Sequence, residues 1–143
     1  MKISRSNFVE IATSLYKTEV PEKKVDYNKW VEFIETHKEY FVWYEDTDDG
    51  KQQLQNIENL SEFLRDRILH SLNKIRVYST NKIVKNPSDF IVTYRTENGT
   101  VSVNIEKRMS KEIANILLKM AEYVGGKLII NGTKELENVE QLD

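Results

Sequence analysis

The chain is 143 residues long, 39% hydrophobic and 31% charged, with five glycines and two prolines. That composition describes one globular domain over residues 1–143 and excludes a disordered or fibrous chain. The absence of cysteine excludes a disulfide framework, a thiolate metal site and a thiol nucleophile, and the net charge of -2 argues against a generic polyanion binder.

At the N-terminus Ser6 is expected to cap a helix with Phe8, Ile11, Ala12 and Leu15 on one face, ended by Val20-Pro21. The segment is amphipathic, without an apolar signal block or a small-residue cleavage site, so it is expected to belong to the mature protein. No apolar run approaches the roughly 20 residues needed to span a bilayer, and a cytoplasmic protein with no membrane contact is expected. Asp26 caps a second predicted helix with Tyr27, Trp30, Val31, Phe33 and Ile34 inward, ending near His37 to Glu39.

"YFVWYE" is apolar on both alternating faces and predicts a buried strand. Directly behind it, Glu45, Asp46, Asp48 and Asp49 put four carboxylates into five positions, followed by Gly50. As a calcium loop the spacing fails. With Gly50 in the sixth position the first three side-chain ligands are Glu45, Thr47 and Asp49, and the twelfth is Asn56 where a bidentate Glu is needed. Two readings stay open: a solvated acidic turn, or a docking surface in which Trp43 or Tyr44 anchors a basic partner and the carboxylates steer it.

Asn59 and Glu62 form a capping-box pattern for a third helix with Leu60, Leu64, Ile68, Leu72 and Ile75 recurring at helical spacing. Residues 76–86 read equally as a continuation of that helix or as a short strand. Residues 67–88 hold Arg67, Lys74, Arg76, Lys82 and Lys85 and no acid, the one feature that would favour a nucleic-acid adaptor, with Tyr78 available for stacking. Five charges over that length are sparse, and nucleic acid is not the expected partner.

Asn98-Gly99 predicts a type I′ hairpin in which Thr96 faces Val101, Tyr94 faces Val103, Val92 faces Ile105 and Phe90 faces Lys107. The opposite, wetter face then carries Asp89 across from Arg108, with Glu106 beside it. Those three residues are the candidate site of an alternative function, a metal-dependent nuclease. Ser110 caps a fourth helix with Ile113, Ile116, Leu117, Met120 and Val124 inward, stopped by Gly125-Gly126. "KLIIN" predicts a last buried strand ending at a second Asn-Gly, and the acidic tail from about residue 134 is free to fray. The fold class expected is α+β, an antiparallel or mixed sheet with a central Asn-Gly hairpin and about four helices, mainly packed on one face.

His37 and His70 stand in no motif, and the chain has no His-Glu-x-x-His, Gly-x-Ser-x-Gly, Walker or Gly-x-Gly-x-x-Gly pattern. No cofactor, resident metal or catalytic residue is therefore expected. Three segments, "YNKWVEFI", "YFVWYEDTDDG" and "LLKMAEYVGGKLIINGTKEL", together resemble small, cysteine-free, cytosolic α+β immunity proteins encoded beside bacterial polymorphic toxins. The resemblance covers about half the chain and rests on general pattern. It implies a non-catalytic protein that binds one toxin domain and blocks its active site. With the residues read above, the expected partner-binding set is Trp43, Tyr44, Glu45, Asp46, Asp48 and Asp49.

Overall fold

A computed structural model describes residues 1–15 and 23–143. Among these the chain runs β1 (Val9–Ala12), α1 (Tyr27–Glu35), β2 (Phe41–Trp43), α2 (Asp48–Gln55), α3 (Glu62–Ser71), β3 (Arg76–Ser79), β4 (Phe90–Arg95), β5 (Thr100–Ile105), α4 (Lys111–Tyr123), β6 (Lys127–Ile130) and β7 (Lys134–Leu136). The seven strands form one antiparallel sheet in the order β2-β3-β4-β5-β1-β6-β7, giving the α+β class expected. None of the described helices is long and apolar enough to cross a membrane.

Among the described residues two helices bury side chains, and both lie on one face of the sheet. Asp26 caps α1 by accepting the backbone N–H groups of Asn28 and Lys29, and α1 presents Trp30, Phe33 and Ile34 inward. Trp30 meets Trp43 edge-on at 5.6 Å and leans on Tyr94 at 5.8 Å, which fixes α1 over β2 and β4. Ser110 caps α4 through the N–H of Ile113, and Ile113, Ile116, Leu117 and Met120 are buried. Burying each such side chain contributes roughly 1.5–3 kcal/mol. Gly125 ends α4 in the left-handed region, at φ +71°, with Gly126 N–H donating to the Ala121 carbonyl.

The N-terminal element differs from the expected helix. Residues Val9–Ala12 form a strand buried on both sides, paired to β5 and β6, while Phe8 and Leu15, two of the four residues expected inward, are exposed. A period of three or four in so short a stretch does not outweigh two waiting strand edges. The helix end expected at Val20-Pro21 lies outside the described residues.

Around Asn98-Gly99 the register is offset by two from the expected one: Tyr94 faces Val101, Val92 faces Val103 and Phe90 faces Ile105. Arg95 pairs with Thr100, so the loop has four residues and only Gly99 takes positive φ, +67°. A shift of two leaves every side chain on its predicted face. The Asn-Gly with both residues at positive φ is the second one, Asn131 (+54°) and Gly132 (+75°), and it turns β6 into β7. The tail expected to fray is placed instead: β7 pairs with β6, Leu142 is buried, and the Met1 ammonium lies 2.7 Å from Asp143 Oδ1. Residues 76–79, left open between helix and strand, are β3.

Candidate functional site

The six residues of the acidic stretch divide into three groups. Trp43 and Tyr44 are 2% and 5% exposed. Trp43 Nε1 donates to Glu35 Oε1 at 3.0 Å, and the Tyr44 hydroxyl donates to Gln53 Oε1 at 2.8 Å. Burial, with Tyr78 and Asp49 nearby, holds the Tyr44 phenol above its ordinary pKa and so keeps the donor protonated. Both aromatics belong to the interior and are not presented to a partner, a correction to the expected anchors. Residues 41–43 cross the sheet edge with Trp43 on the helix-covered face, and a 3₁₀ turn at Tyr44–Asp46 rolls Tyr44 under Arg76 and Tyr78.

Glu45 is a brace. Its Oε2 accepts the backbone N–H of Lys74 at 2.7 Å, and Lys74 sits in the left-handed region at φ +53° in the turn between α3 and β3. The Tyr27 hydroxyl donates to the Lys74 carbonyl at 2.9 Å, and the Lys74 ammonium lies 3.3 Å from Glu35. One lysine thus ties α1, the acidic stretch and the start of β3 together.

Asp46, Asp48 and Asp49 remain exposed. Of the two readings, the solvated turn holds only as far as Asp46, because Thr47 then caps a helix, its side chain accepting the Gly50 N–H at 3.0 Å. Asp48 and Asp49 occupy the first turn of α2, where negative charge interacts favourably with the helix dipole. The glycine behind the carboxylates serves packing: a Cβ on Gly50 would stand 2.0 Å from the Tyr44 carbonyl oxygen.

Among the described residues the most exposed large apolar side chain, Phe63, follows in this region. Leu54 at the end of α2 and Phe63, Leu64 and Leu69 on α3 all face solvent, Phe63 at 69%. Neither helix buries a side chain, Gly50 being the one buried residue between them. Leu64, one of the apolar residues recurring at helical spacing, is exposed, and α3 begins at a Ser61 cap rather than at Asn59. The sequence did carry a sign of this: Phe63, Leu64, Ile68, Leu69 and Leu72 are more apolar positions than one helical stripe can hold.

α3 stands beside the outer sheet face and closes a groove of about 650 Å³, walled by Phe63, Asp66, Arg67 and His70 and floored by outward side chains of β3, β4 and β5. The acid-free run divides here. Lys74 and Lys82 are committed to Glu35 and Glu39, at 3.3 and 3.0 Å, and Lys85 is exposed elsewhere. Arg67 lies over the Phe63 ring at 5.7 Å and Arg76 over the Tyr44 ring at 5.6 Å, so the five charges form no continuous track.

Of the candidate nuclease trio, Asp89 and Arg108 line one cavity that Glu106 does not, and each of the three has a partner of its own. With the register offset, Asp89 pairs with Lys107 at 3.7 Å, Glu106 with Arg5 at 3.7 Å, and Arg108 donates to the Asp143 carbonyl at 3.1 Å. Among the described residues no three His, Asp or Glu side chains gather as a metal site. His37 stacks on Phe33 at 3.9 Å and donates from Nδ1 to the Phe33 carbonyl, a helix-end role, while His70 lines the groove. Compared with known proteins, the chain matches no family model, no curated protein and no solved structure.

Proposed function

We propose that the chain is a non-catalytic protein-binding module and, following its resemblance to small immunity proteins, one that binds and blocks a cognate toxin domain. The observation that carries this reading is the α2–α3 flank. Four large apolar side chains face solvent between Leu54 and Leu69, on helices that bury almost nothing of their own, with Asp46, Asp48 and Asp49 at the near end. Exposed apolar side chains rimmed by charge are what a recognition surface provides: the apolar groups supply affinity and the carboxylates steer a basic partner. The anchors are therefore Phe63 and Leu64 in place of Trp43 and Tyr44.

The test is titration calorimetry of the protein with the toxin domain encoded beside its gene. Phe63→Ala and Leu64→Ala should each weaken binding, the former by roughly 2 kcal/mol, without lowering thermal stability. Reversing Asp46, Asp48 and Asp49 to Lys should slow association and flatten its salt dependence. Wild-type protein that does not bind, or variants that all bind as wild type does, would overturn the assignment.

A further inference from the structure

We propose that the groove between α3 and the outer face of β3, β4 and β5 receives an acidic segment of the protein partner, with its carboxylates on Arg67 and Arg76 and an apolar side chain against Phe63. This inference rests on the binding-module reading and adds a second chemistry to it, opposite in sign to that of the α2 carboxylates.

Among the described residues Arg67 and Arg76 have no carboxylate within salt-bridge distance, whereas Arg95 in the same groove is neutralised by Glu97 at 3.2 Å. Each guanidinium lies over an aromatic face, Arg67 over Phe63 and Arg76 over Tyr44. A ring contact satisfies the plane of a guanidinium and leaves its N–H fork open, and a carboxylate is the partner whose geometry matches two of those donors at once. The floor adds the outward side chains of Thr93, Ser102 and Asn104, none of which makes a side-chain hydrogen bond among the described residues. These supply donors and acceptors of the kind a peptide backbone needs. The volume of about 650 Å³ suits a few side chains of one segment.

The charge pattern favours polypeptide over nucleic acid. A continuous polyanion laid in the groove would meet Asp66 on one wall and Glu97 at one end, and the lysines that could extend its path, Lys74 and Lys82, are occupied by Glu35 and Glu39. Isolated carboxylates interleaved with apolar residues avoid both acids.

The experiment selects a library of random short peptides on the wild-type protein and counter-selects on Arg67→Glu/Arg76→Glu. Enriched sequences should carry Asp or Glu beside a large apolar residue. Labelled copies should bind with an anisotropy change that Arg67→Glu alone weakens at least roughly tenfold and that Phe63→Ala also weakens. Reversal of Asp46, Asp48 and Asp49 should leave peptide binding unchanged. Because Arg67 projects from an exposed helix, Arg67→Glu should melt as wild type does, which keeps the result interpretable if the double variant is unstable. Selected peptides without acidic residues, or peptides that bind Arg67→Glu as tightly as wild type, would overturn the proposal. So would single-stranded oligothymidylate binding the wild type more tightly than every selected peptide in the same buffer. A toxin domain that depends on Phe63 and ignores Arg67 and Arg76 removes the groove and leaves the binding module standing. Acidic peptides that bind where no toxin domain does retain the groove and remove the immunity reading.

Discussion

Replacing Gly50 by alanine sets two effects of opposite sign against each other. Helix propensity alone favours Ala over Gly inside a helix by about 1 kcal/mol, so a reading based on α2 in isolation expects the variant to be more stable. The fold disagrees, because the new Cβ would stand 2.0 Å from the Tyr44 carbonyl oxygen and 2.8 Å from its carbon. Both are backbone atoms that cannot rotate aside, and reaching ordinary contact requires α2 and the Tyr44–Asp46 turn to separate by about 1.4 Å. The atoms nearest the opening are the cap itself: Thr47 N–H and Oγ1 both donate to the Tyr44 carbonyl, at 3.0 and 2.6 Å, and Oγ1 accepts the Gly50 N–H. Overpacking costs about 1–3 kcal/mol and loss of the cap about 1 kcal/mol, so the net is a destabilisation of roughly 2 kcal/mol after the propensity gain. At this chain length that lowers Tm by on the order of 6–10 °C in a circular-dichroism melt. A Tm equal to or above the wild-type value would refute the close approach of α2 to Tyr44.

Glu45→Ala leaves the Lys74 N–H without its acceptor and should destabilise by about 1–2 kcal/mol in urea titrations, whereas Lys74→Gly removes left-handed strain but also the ion pair to Glu35, so its Tm should shift by less than that of Glu45→Ala. The hydrogen bond from Trp43, with Lys74 and Lys38 nearby, holds the Glu35 carboxyl below its ordinary pKa. A depressed folded-state pKa contributes stability above the unfolded value and loses it as pH falls through the folded one, so Tm should drop on acidification below about pH 5, and Glu35→Gln should flatten that limb. Val103→Lys places a charge opposite Val92 in the core and should abolish cooperative unfolding, while Thr93→Lys on the outer face should shift Tm only slightly; the reverse pattern would mean the strand faces are exchanged.

Elements whose signals are local could be read from the sequence. Asp26 and Ser110 cap α1 and α4, each helix has a single apolar stripe, and Gly125 ends the second, so the helices on the buried face were legible together with their inward residues. The strand faces of β4 and β5 were legible from alternation, but their register was not, because Asn98-Gly99 fits both a two-residue turn and the end of a four-residue loop. β1 was misread since its pairing depends on residues about 90 and 120 positions away, which no local window contains. At the site, charge was visible and burial was not. Trp43 and Tyr44 look like exposed anchors next to four carboxylates until β2 is placed against β3, and Phe63 gains significance only once α3 is seen to bury no side chain.

The position of β1 sets the order of events in folding. Among the described strands it is synthesised first, yet its two neighbours are β5 and β6, which come after every other described strand but β7. Until Lys127–Ile130 emerges, Val9–Ala12 has at most one edge satisfied, and an apolar strand that waits is exposed to other chains. Closure of the sheet through such distant pairings places the protein among slow, high-contact-order folders, with rates nearer the millisecond-to-second range than the microsecond range of helical bundles. A nascent chain stalled before β6 should therefore be sensitive to protease around Val9–Ala12, and that sensitivity should disappear once β6 clears the exit tunnel.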